Sequence, residues 1–471
     1  MPESNTYDVV VVGGGIAGLS AASRAAELGL RVALLERGTG EQYLNNTRYS
    51  GGILHIAFRN VKARPEELLE AIQQATHGNA DPAIARALAE TSSRAVDWLG
   101  KEGAKFLRMS QVEWQQWVMA PPRRIMPGLD WEGRGPDFTL RTLAKNLANR
   151  GGAIFRGTAA VALMERNGVC AGVEARNGDG NRQFTAAAVV LADGGFQGNP
   201  ELVGRHICAD PAKLMQRGAS TGVGDGLRMA QALGASIADL DYFYGHVLSR
   251  DAFTNPRTWP YPQLDELGMG GIVVAGDGRR VADEGRSGVY LANAIAKLPD
   301  PLATWAIFDQ AIWEGPGRDA RIPANPHLVS AGGTMLKANT LQELAALAGL
   351  PAAALAATVT GYQGALANGG LAQLDPPRST DVRKAWPISQ APYYAAPLCA
   401  GITYTMGGIA IDEHGRARKT TGEPIAGLYA AGSTTAGLEG RNGPTYVGGL
   451  MKGLVSGMRA AEHIAHAFGK R

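Results

Sequence analysis

Cysteine is nearly missing from this chain: 471 residues hold three, Cys170, Cys208 and Cys399. Thiols so few and so scattered exclude a disulfide scaffold and predict a reducing, cytoplasmic setting. No CxxCH occurs, so no attached c-type haem is expected, and no CxxC pair marks a zinc or iron–sulfur centre. No block of one charge stands out. The 46 basic and 43 acidic residues leave +3, which argues against a nucleic-acid partner. No apolar run reaches membrane-spanning length, so no transmembrane segment is expected, and the opening MPESNTYD lacks the pattern of a secretory signal. Internal repeats and low-complexity tracts are also lacking. What remains is a globular composition, 45% hydrophobic, on a chain too long for one ordinary core; two domains are predicted.

Glycine is plentiful, and its placement is informative. Tyr7-Asp8-Val9-Val10-Val11-Val12 reads as a buried parallel strand and enters Gly13-Gly14-Gly15-Ile16-Ala17-Gly18, which opens a helical pattern. Arg31-Val32-Ala33-Leu34-Leu35 is a second strand, ending on Glu36 and followed by Arg37. This is GxGxxG between strand and helix, the context in which it binds dinucleotides. Gly13 makes the turn, Gly15 admits a pyrophosphate to the backbone, and Gly18 lets helix pack on strand. The helix N-terminus at Ile16 and Ala17 offers partial positive charge, and Glu36 accepts from a ribose. The position at the start of the chain favours FAD over NAD.

Further glycine motifs follow: Asn45-Asn46-Thr47-Arg48-Tyr49-Ser50-Gly51-Gly52, VVLADGGFQGN with Ala192 and Gly194, and GVGDGLRM with Asp225. Near the end come TYTMGG at 403–408, GLYAAGS with Gly432 and Ser433, and a helical stripe that starts at Gly448-Gly449-Leu450. Together, and in this order, these pieces resemble the fumarate reductase and succinate dehydrogenase flavoprotein superfamily. Its soluble members include 3-ketosteroid dehydrogenases and tricarballylate dehydrogenases.

The resemblance implies an α/β architecture: a Rossmann-type FAD-binding domain, parallel sheet plus β-meander, from residues 1–240 and 388–471. An α+β capping domain, 241–387, is inserted between them. Within the first unit, 153–190 reads as the meander, with turns at Asn167-Gly168 and Gly178-Asp179-Gly180; 64–105 and 137–150 read as amphipathic helices, and 341–367 as a helical pair. The resemblance further implies that Thr47, Ser50, Gly51 and Gly52 lie against the flavin, that Gly407 and Gly408 approach it, and that Gly449 and Leu450 aim a helix N-terminus at it. Asn46 or its neighbour stands where covalent members carry a flavin-linking histidine, so FAD is expected to be noncovalent. His55 reads as a pocket or core residue.

Departures from the fumarate reductases bear on substrate. Both histidines of their HHTMGG stretch are replaced, which places Tyr404 at the substrate. Their closing-motif arginine falls on Tyr446, which removes a dicarboxylate clamp. Arg286 follows Asp283-Glu284 by two residues rather than four. His246 matches a cap-proximal histidine. Tyr404, Tyr446, Arg286 and His246 are therefore the candidate acid/base or polarising groups. A tyrosine titrates near pH 10, so a phenol serves most simply as a donor. Trp114, Trp117 and Trp131 with Arg123, Arg124 and Arg134 form an aromatic and arginine cluster, suited to a flat or acyl acid or to a surface loop over core tryptophans. His463 and His466 lack a third ligand and read as a solvated face, so no metal is expected.

The expected activity is FAD-dependent hydride transfer beside a carbonyl or carboxylate, making or reducing a C=C bond in an organic acid or cyclic ketone. Dehydrogenation is preferred because no electron-feeding module is present, and an external electron acceptor or donor is implied. The alternatives are an enoate-type reductase, a flavin monooxygenase or oxidase, and a non-catalytic electron-transfer flavoprotein.

Overall fold

The computed structural model describes residues 6–123, 130–318 and 326–470. Strand Thr6–Val12 carries four consecutive valines because both of its faces are covered; each is at most 6% exposed. It pairs in parallel with Val32–Glu36 on one side and Gly180–Leu191 on the other. Pro424–Ala430 extends the sheet in parallel beyond Gly180–Leu191, and Arg416–Arg418 closes that edge antiparallel. Val9 and Val11 point into one core, with Leu19, Met451 and Leu454. Val10 and Val12 point into another, with Phe184 and Ile409.

Strands Ala159–Arg166, Val169–Asn177 and Gly180–Leu191 form an antiparallel meander. Ala153–Arg156, expected in that meander, joins the parallel strands beside Val32–Glu36 instead. The preceding helix Gly135–Asn149 returns the chain across the sheet, and a crossover of this kind delivers a parallel strand. Helices Pro65–Ala75, Pro82–Lys101, Leu341–Ala348 and Ala352–Ala367 fall within the ranges their periodicity predicts.

Helix Gly449–Ala467 packs along helix Ile16–Glu27. The approach is close because small residues face each other: a Cβ on Gly457 would stand 2.2 Å from the Ala17 carbonyl oxygen.

A second sheet has its own core, which includes Phe243, Leu267, Ile307 and Leu398. Its spine is the long strand Tyr393–Thr405. Phe243–Ser249 and Leu336–Ala338 pair with one part or another of that spine, as do Thr304–Asp309 and Met215–Gln216. The pairing of Phe243–Ser249 slips after Tyr244, which lies opposite Tyr404, while Gly245 lies opposite Ile402. Thr403 is the extra residue. A bulge of this kind re-aims side chains, and here it sits where the two sheets face a common space.

Candidate active site

A cavity of about 1050 Å³ begins at the C-terminal ends of Thr6–Val12 and Val32–Glu36 and reaches Tyr244, His246 and Tyr404 on the second sheet. The outlet of parallel strands is where α/β folds bind nucleotides, because helix N-termini and open loops gather there.

At the first end the backbone is folded for close approach. Gly13 has φ +100°, and a Cβ there would stand 2.5 Å from the Ala192 carbonyl oxygen. Gly18 does not line the cavity; its Cβ would stand 1.8 Å from the Gly13 oxygen and 3.4 Å from Ala192 Cβ, so it lets the helix close on the turn and the strand ends. Gly15 differs. Its nearest neighbour would be Thr47 Oγ1 at 3.5 Å, so its bare face opens on the cavity. Thr47 Oγ1 accepts from Ile16 N–H at 3.1 Å, and no acidic residue sits in the helix's first turn to compete for an anion. Glu36 is buried, which raises its pKa. Its Oε2 accepts from Gly14 N–H at 2.9 Å and its Oε1 from Gly38 N–H at 2.7 Å. Each oxygen keeps a second lone pair for a ribose.

Ser50 builds the next turn: its hydroxyl donates to the Thr47 carbonyl at 2.7 Å and accepts from Gly52 N–H at 3.2 Å. A Cβ on Gly51 would meet nothing nearer than 4.0 Å, and one on Gly194 nothing nearer than 3.9 Å. Arg37 pairs with Asp225 at 3.4 Å, and both line the cavity with Ile16, Ala17, Ala192, Gly432, Ser433, Gly449 and Leu450. Three open glycine faces, a free helix N-terminus and a fixed carboxylate fit an extended dinucleotide.

Gly407 and Gly408 are placed otherwise than expected. Neither lines the cavity. A Cβ on Gly407 would stand 2.0 Å from the Asp239 carbonyl oxygen, and one on Gly408 2.0 Å from that of Thr434. The glycine pair lets backbone cross backbone, not cofactor.

At the other end three phenols meet. The Tyr244 and Tyr446 rings are stacked, 3.9 Å apart, and Tyr404 lies 5.2 Å from Tyr244. The Tyr446 hydroxyl lies close enough to Tyr244 and to Gly449 N–H, at the start of the last helix, for both to bear on its ionisation. Tyr244 Oη lies 3.0 Å from His246 Nε2, and His246 Nδ1 lies 2.5 Å from Asp265 Oδ2. Asp265 Oδ1 accepts from Val247 N–H at 2.8 Å, which fixes the carboxylate. A carboxylate at Nδ1 selects the tautomer with its proton there and leaves Nε2 to accept from Tyr244. Burial depresses the His246 pKa, with the Asp265 carboxylate working against it. Burial pushes Tyr244 up to about 12 and Tyr446 well above the ordinary phenol value. Burial thus holds Tyr244, Tyr446 and His246 in their neutral forms near pH 7.

Tyr404 also lines the cavity, but its hydroxyl turns to Glu439, 3.3 Å from Oε2. Glu439 is fully buried; it accepts from Val447 N–H at 2.7 Å and lies 3.7 Å from Lys452 Nζ. Arg286 lines the cavity, lies 4.2 Å from the Tyr290 ring centroid and has no ion pair among the described residues. Of the four candidate catalytic residues, then, His246 belongs to a hydrogen-bonded chain with Tyr244 and Asp265, Tyr446 stacks on Tyr244 at its end, Tyr404 belongs to a neighbouring chain, and Arg286 to neither.

His55 is a wall of the pocket. It is buried, its Nδ1 accepts from Phe58 N–H at 3.2 Å, and burial lowers its pKa to about 4. Trp114 and Arg123 line the cavity. Trp117 instead packs on Phe106, Trp131 stacks on Tyr49, and Arg134 pairs with Asp130. Arg124 lies outside the described residues. His463 Nδ1 lies 2.9 Å from Tyr429 Oη, whereas His466 is exposed.

Tyr244, Asp265 and Glu439 were not singled out by sequence. Tyr244 had a signal: it stands two residues before His246 in a strand, hence on the same face. Asp265 and Glu439 had none, since nothing local distinguishes them.

Fold and site define a dinucleotide-binding oxidoreductase. The FAD binding domain family model matches residues 8–443, and the chain belongs to that family. A probable fumarate reductase of Shewanella frigidimarina (strain NCIMB 400) is 28% identical over 476 residues, 98% of this chain and 76% of the relative. A 3-oxosteroid 1-dehydrogenase of Mycobacterium tuberculosis (strain ATCC 25618 / H37Rv) is 31% identical over 349 residues, 67% of this chain and 60% of the relative. The 3-ketosteroid delta1-dehydrogenase structure from Sterolibacterium denitrificans shares the fold, with a TM-score of 0.73 and 21% identity over 98% of this chain and all of that one. The chain is an FAD-dependent oxidoreductase of the fumarate reductase flavoprotein superfamily, acting on CH–CH bonds. No helix among the described residues is long and apolar enough to cross a membrane.

Proposed function

We propose that this chain is a dehydrogenase that introduces a C=C bond beside a carbonyl or carboxylate, using noncovalent FAD. The observation that carries this reading is the continuity of one cavity from the glycine cradle to the Tyr446–Tyr244–His246–Asp265 chain. Gly13, Gly15, Ile16, Ala17, Glu36, Arg37, Thr47, Ser50, Gly51, Gly52, Ala192, Gly194, Asp225, Gly432, Ser433, Gly449 and Leu450 hold the cofactor. Bound FAD supplies the hydride acceptor.

The protein's own task is the proton. Tyr446 takes it from the substrate carbon and passes its own to Tyr244; Tyr244 passes its proton to His246 Nε2. The imidazolium so formed rests against Asp265. No free phenolate is needed, which suits phenols held neutral by burial. Tyr404, fixed by Glu439, packs beside this chain, and Arg286 lines the same cavity. Asn46 supports noncovalent attachment. Its amide is engaged on both sides, donating to the Thr403 carbonyl at 2.9 Å and accepting from Ala219 N–H at 2.7 Å, and an amide is no nucleophile.

We assign residues 1–240 and 388–471 to a Rossmann-type FAD-binding domain and 241–387 to an inserted α+β cap; two sheets with separate cores support this. Strand Tyr393–Thr405 lies beyond the 388 junction and yet forms the spine of the second sheet, so the boundary runs through a shared strand. Electrons leave to an external acceptor, and the sparse thiols favour a cytoplasmic setting.

Anaerobic addition of saturated carboxylic acids and cyclic ketones to the yellow holoenzyme tests the reading. Bleaching with a C=C product is expected. Reduction only by a protein partner would instead make this an electron carrier, and rapid oxygen uptake with a hydroxylated product would make it a monooxygenase. Acid precipitation should leave the yellow pigment in the supernatant.

A further inference from the structure

Besides Arg286, two guanidinium groups that line the cavity have no carboxylate partner among the described residues. Arg217 comes from the loop that follows strand Met215–Gln216 and Arg123 from the segment after Val118–Met119. Both lie over the same ring: the Tyr261 centroid is 5.4 Å from Arg217 Cζ and 5.2 Å from Arg123 Cζ. Each has one anchor. An Arg217 terminal nitrogen donates to Thr403 Oγ1 at 2.9 Å, and an Arg123 terminal nitrogen donates to the Tyr49 carbonyl. Neither has an ion pair among the described residues.

Their remaining donors are poorly served. Arg123 Nη2, Arg217 Nε and Gln263 Nε2 are all buried without an acceptor, and all three residues line the cavity. The nearby acids are engaged elsewhere: Asp265 with His246 and Val247 N–H, Glu266 with Arg383 at 3.3 Å, and Asp283 with the N–H groups of Gly285 and Ser379. Two half-buried like charges around one ring, with idle donors, repel each other until an anion arrives. Guanidinium forks match a carboxylate, and the ring between them suits a planar acyl group.

We propose that Arg217 and Arg123, with Gln263, form the subsite that binds the carboxylate of an anionic substrate. This deepens the dehydrogenase reading and rests on it for the word substrate. The site is distinct from Tyr446, the position that carries the clamp arginine in the resemblance, so the charge lost there is supplied from another wall. Arg217 lies close enough to Tyr244 and His246 to bear on the ionisation of both, so an acid held by it lies beside the proton chain.

The test uses holoenzyme, with cinnamate and fumarate as anionic probes and cinnamamide and fumaramide as neutral counterparts. Binding is read by calorimetry and by perturbation of the flavin spectrum. At least one acid should bind about tenfold or more tightly than its amide, as charged hydrogen bonds do. R217Q and R123Q should each weaken that acid about tenfold or more and the amide by less than about twofold. Added salt should weaken only the acid. Flavin content and melting temperature check the fold, and because R217Q also loses the Thr403 contact, R123Q is the independent arm. Equal binding of acid and amide, no binding of either acid, or unchanged acid binding in both variants would overturn the proposal. If neutral ketones alone bleach the flavin, the subsite is wrong and the dehydrogenase reading stands. If acids bind as expected but no compound bleaches it, the reverse holds.

Discussion

Tyr244 and Tyr446 stack face to face, with ring centroids 3.9 Å apart and planes 17° from parallel. One comes from the second sheet and the other from the turn that starts the last helix, so their contact joins the two halves of the cavity. Stacking alone contributes only about 1 kcal/mol. The hydroxyls matter more, because they place a donor chain between the cavity and the buried His246–Asp265 pair.

Y446F and Y244F remove one hydroxyl each and leave the stack intact. Anaerobic flavin reduction by substrate should slow roughly 10²- to 10⁴-fold in either variant, with flavin content unchanged. D265N should also slow it, because an amide no longer selects the tautomer that leaves Nε2 as acceptor. Stopped-flow absorbance measures all three; full rates in Y244F would break the chain.

The pH profile follows from His246. The acceptor must be neutral, and burial holds its pKa below the ordinary 6.5. The reductive rate should therefore rise with pH through a limb below 6.5 and then stay level through neutrality. The phenols add no limb there, since Tyr244 titrates at about 12. A limb centred above 7 would point to a different base.

Stability should depend on His55. Its folded pKa is about 4 against 6.5 unfolded, through burial. Between those values the unfolded chain binds the extra proton, so stability is complete above pH 6.5 and falls as pH drops toward 4. The full loss is roughly 3 kcal/mol. Urea denaturation across this window should show that slope, and H55Q should flatten it.

The buried Glu439–Lys452 pair predicts a non-additive effect. K452M leaves the Glu439 carboxylate buried without its cation and should cost about 3–5 kcal/mol, whereas E439Q/K452M should recover part of it. Urea midpoints of the single and double variants decide.

Two glycines of one motif should behave differently. Gly15 has an ordinary φ of −76° and an open face, so G15A should fold normally but bind FAD at least about tenfold more weakly, because its methyl enters the cavity. G18A drives a Cβ into the Gly13 oxygen and should destabilise the fold itself. Thermal melts of apoprotein alongside FAD titration separate the two.

How much of this was legible depended on how local the signal was. Gly13 to Glu36 is one contiguous strand–turn–helix–strand, so the cradle could be read residue by residue. Tyr404 and Tyr446 were reached through their motifs. Their companion Tyr244 lay about 160 and 200 residues away in the chain, and only long-range packing brings the rings together: the strand register sets Tyr244 opposite Tyr404, and Tyr446 stacks on it. Gly407 and Gly408 signalled close approach correctly, but glycine does not say what approaches. Arg217 gave no sequence signal at all, because its importance lies in what it fails to pair with.

The most direct test is anaerobic titration of purified yellow holoenzyme with saturated acids, in wild type and Y446F side by side. Rapid bleaching of the wild-type flavin with formation of a C=C product, slowed at least about a hundredfold in Y446F, is the predicted result. A purified protein that takes up no FAD, or a flavin that no such acid or ketone bleaches, would contradict it.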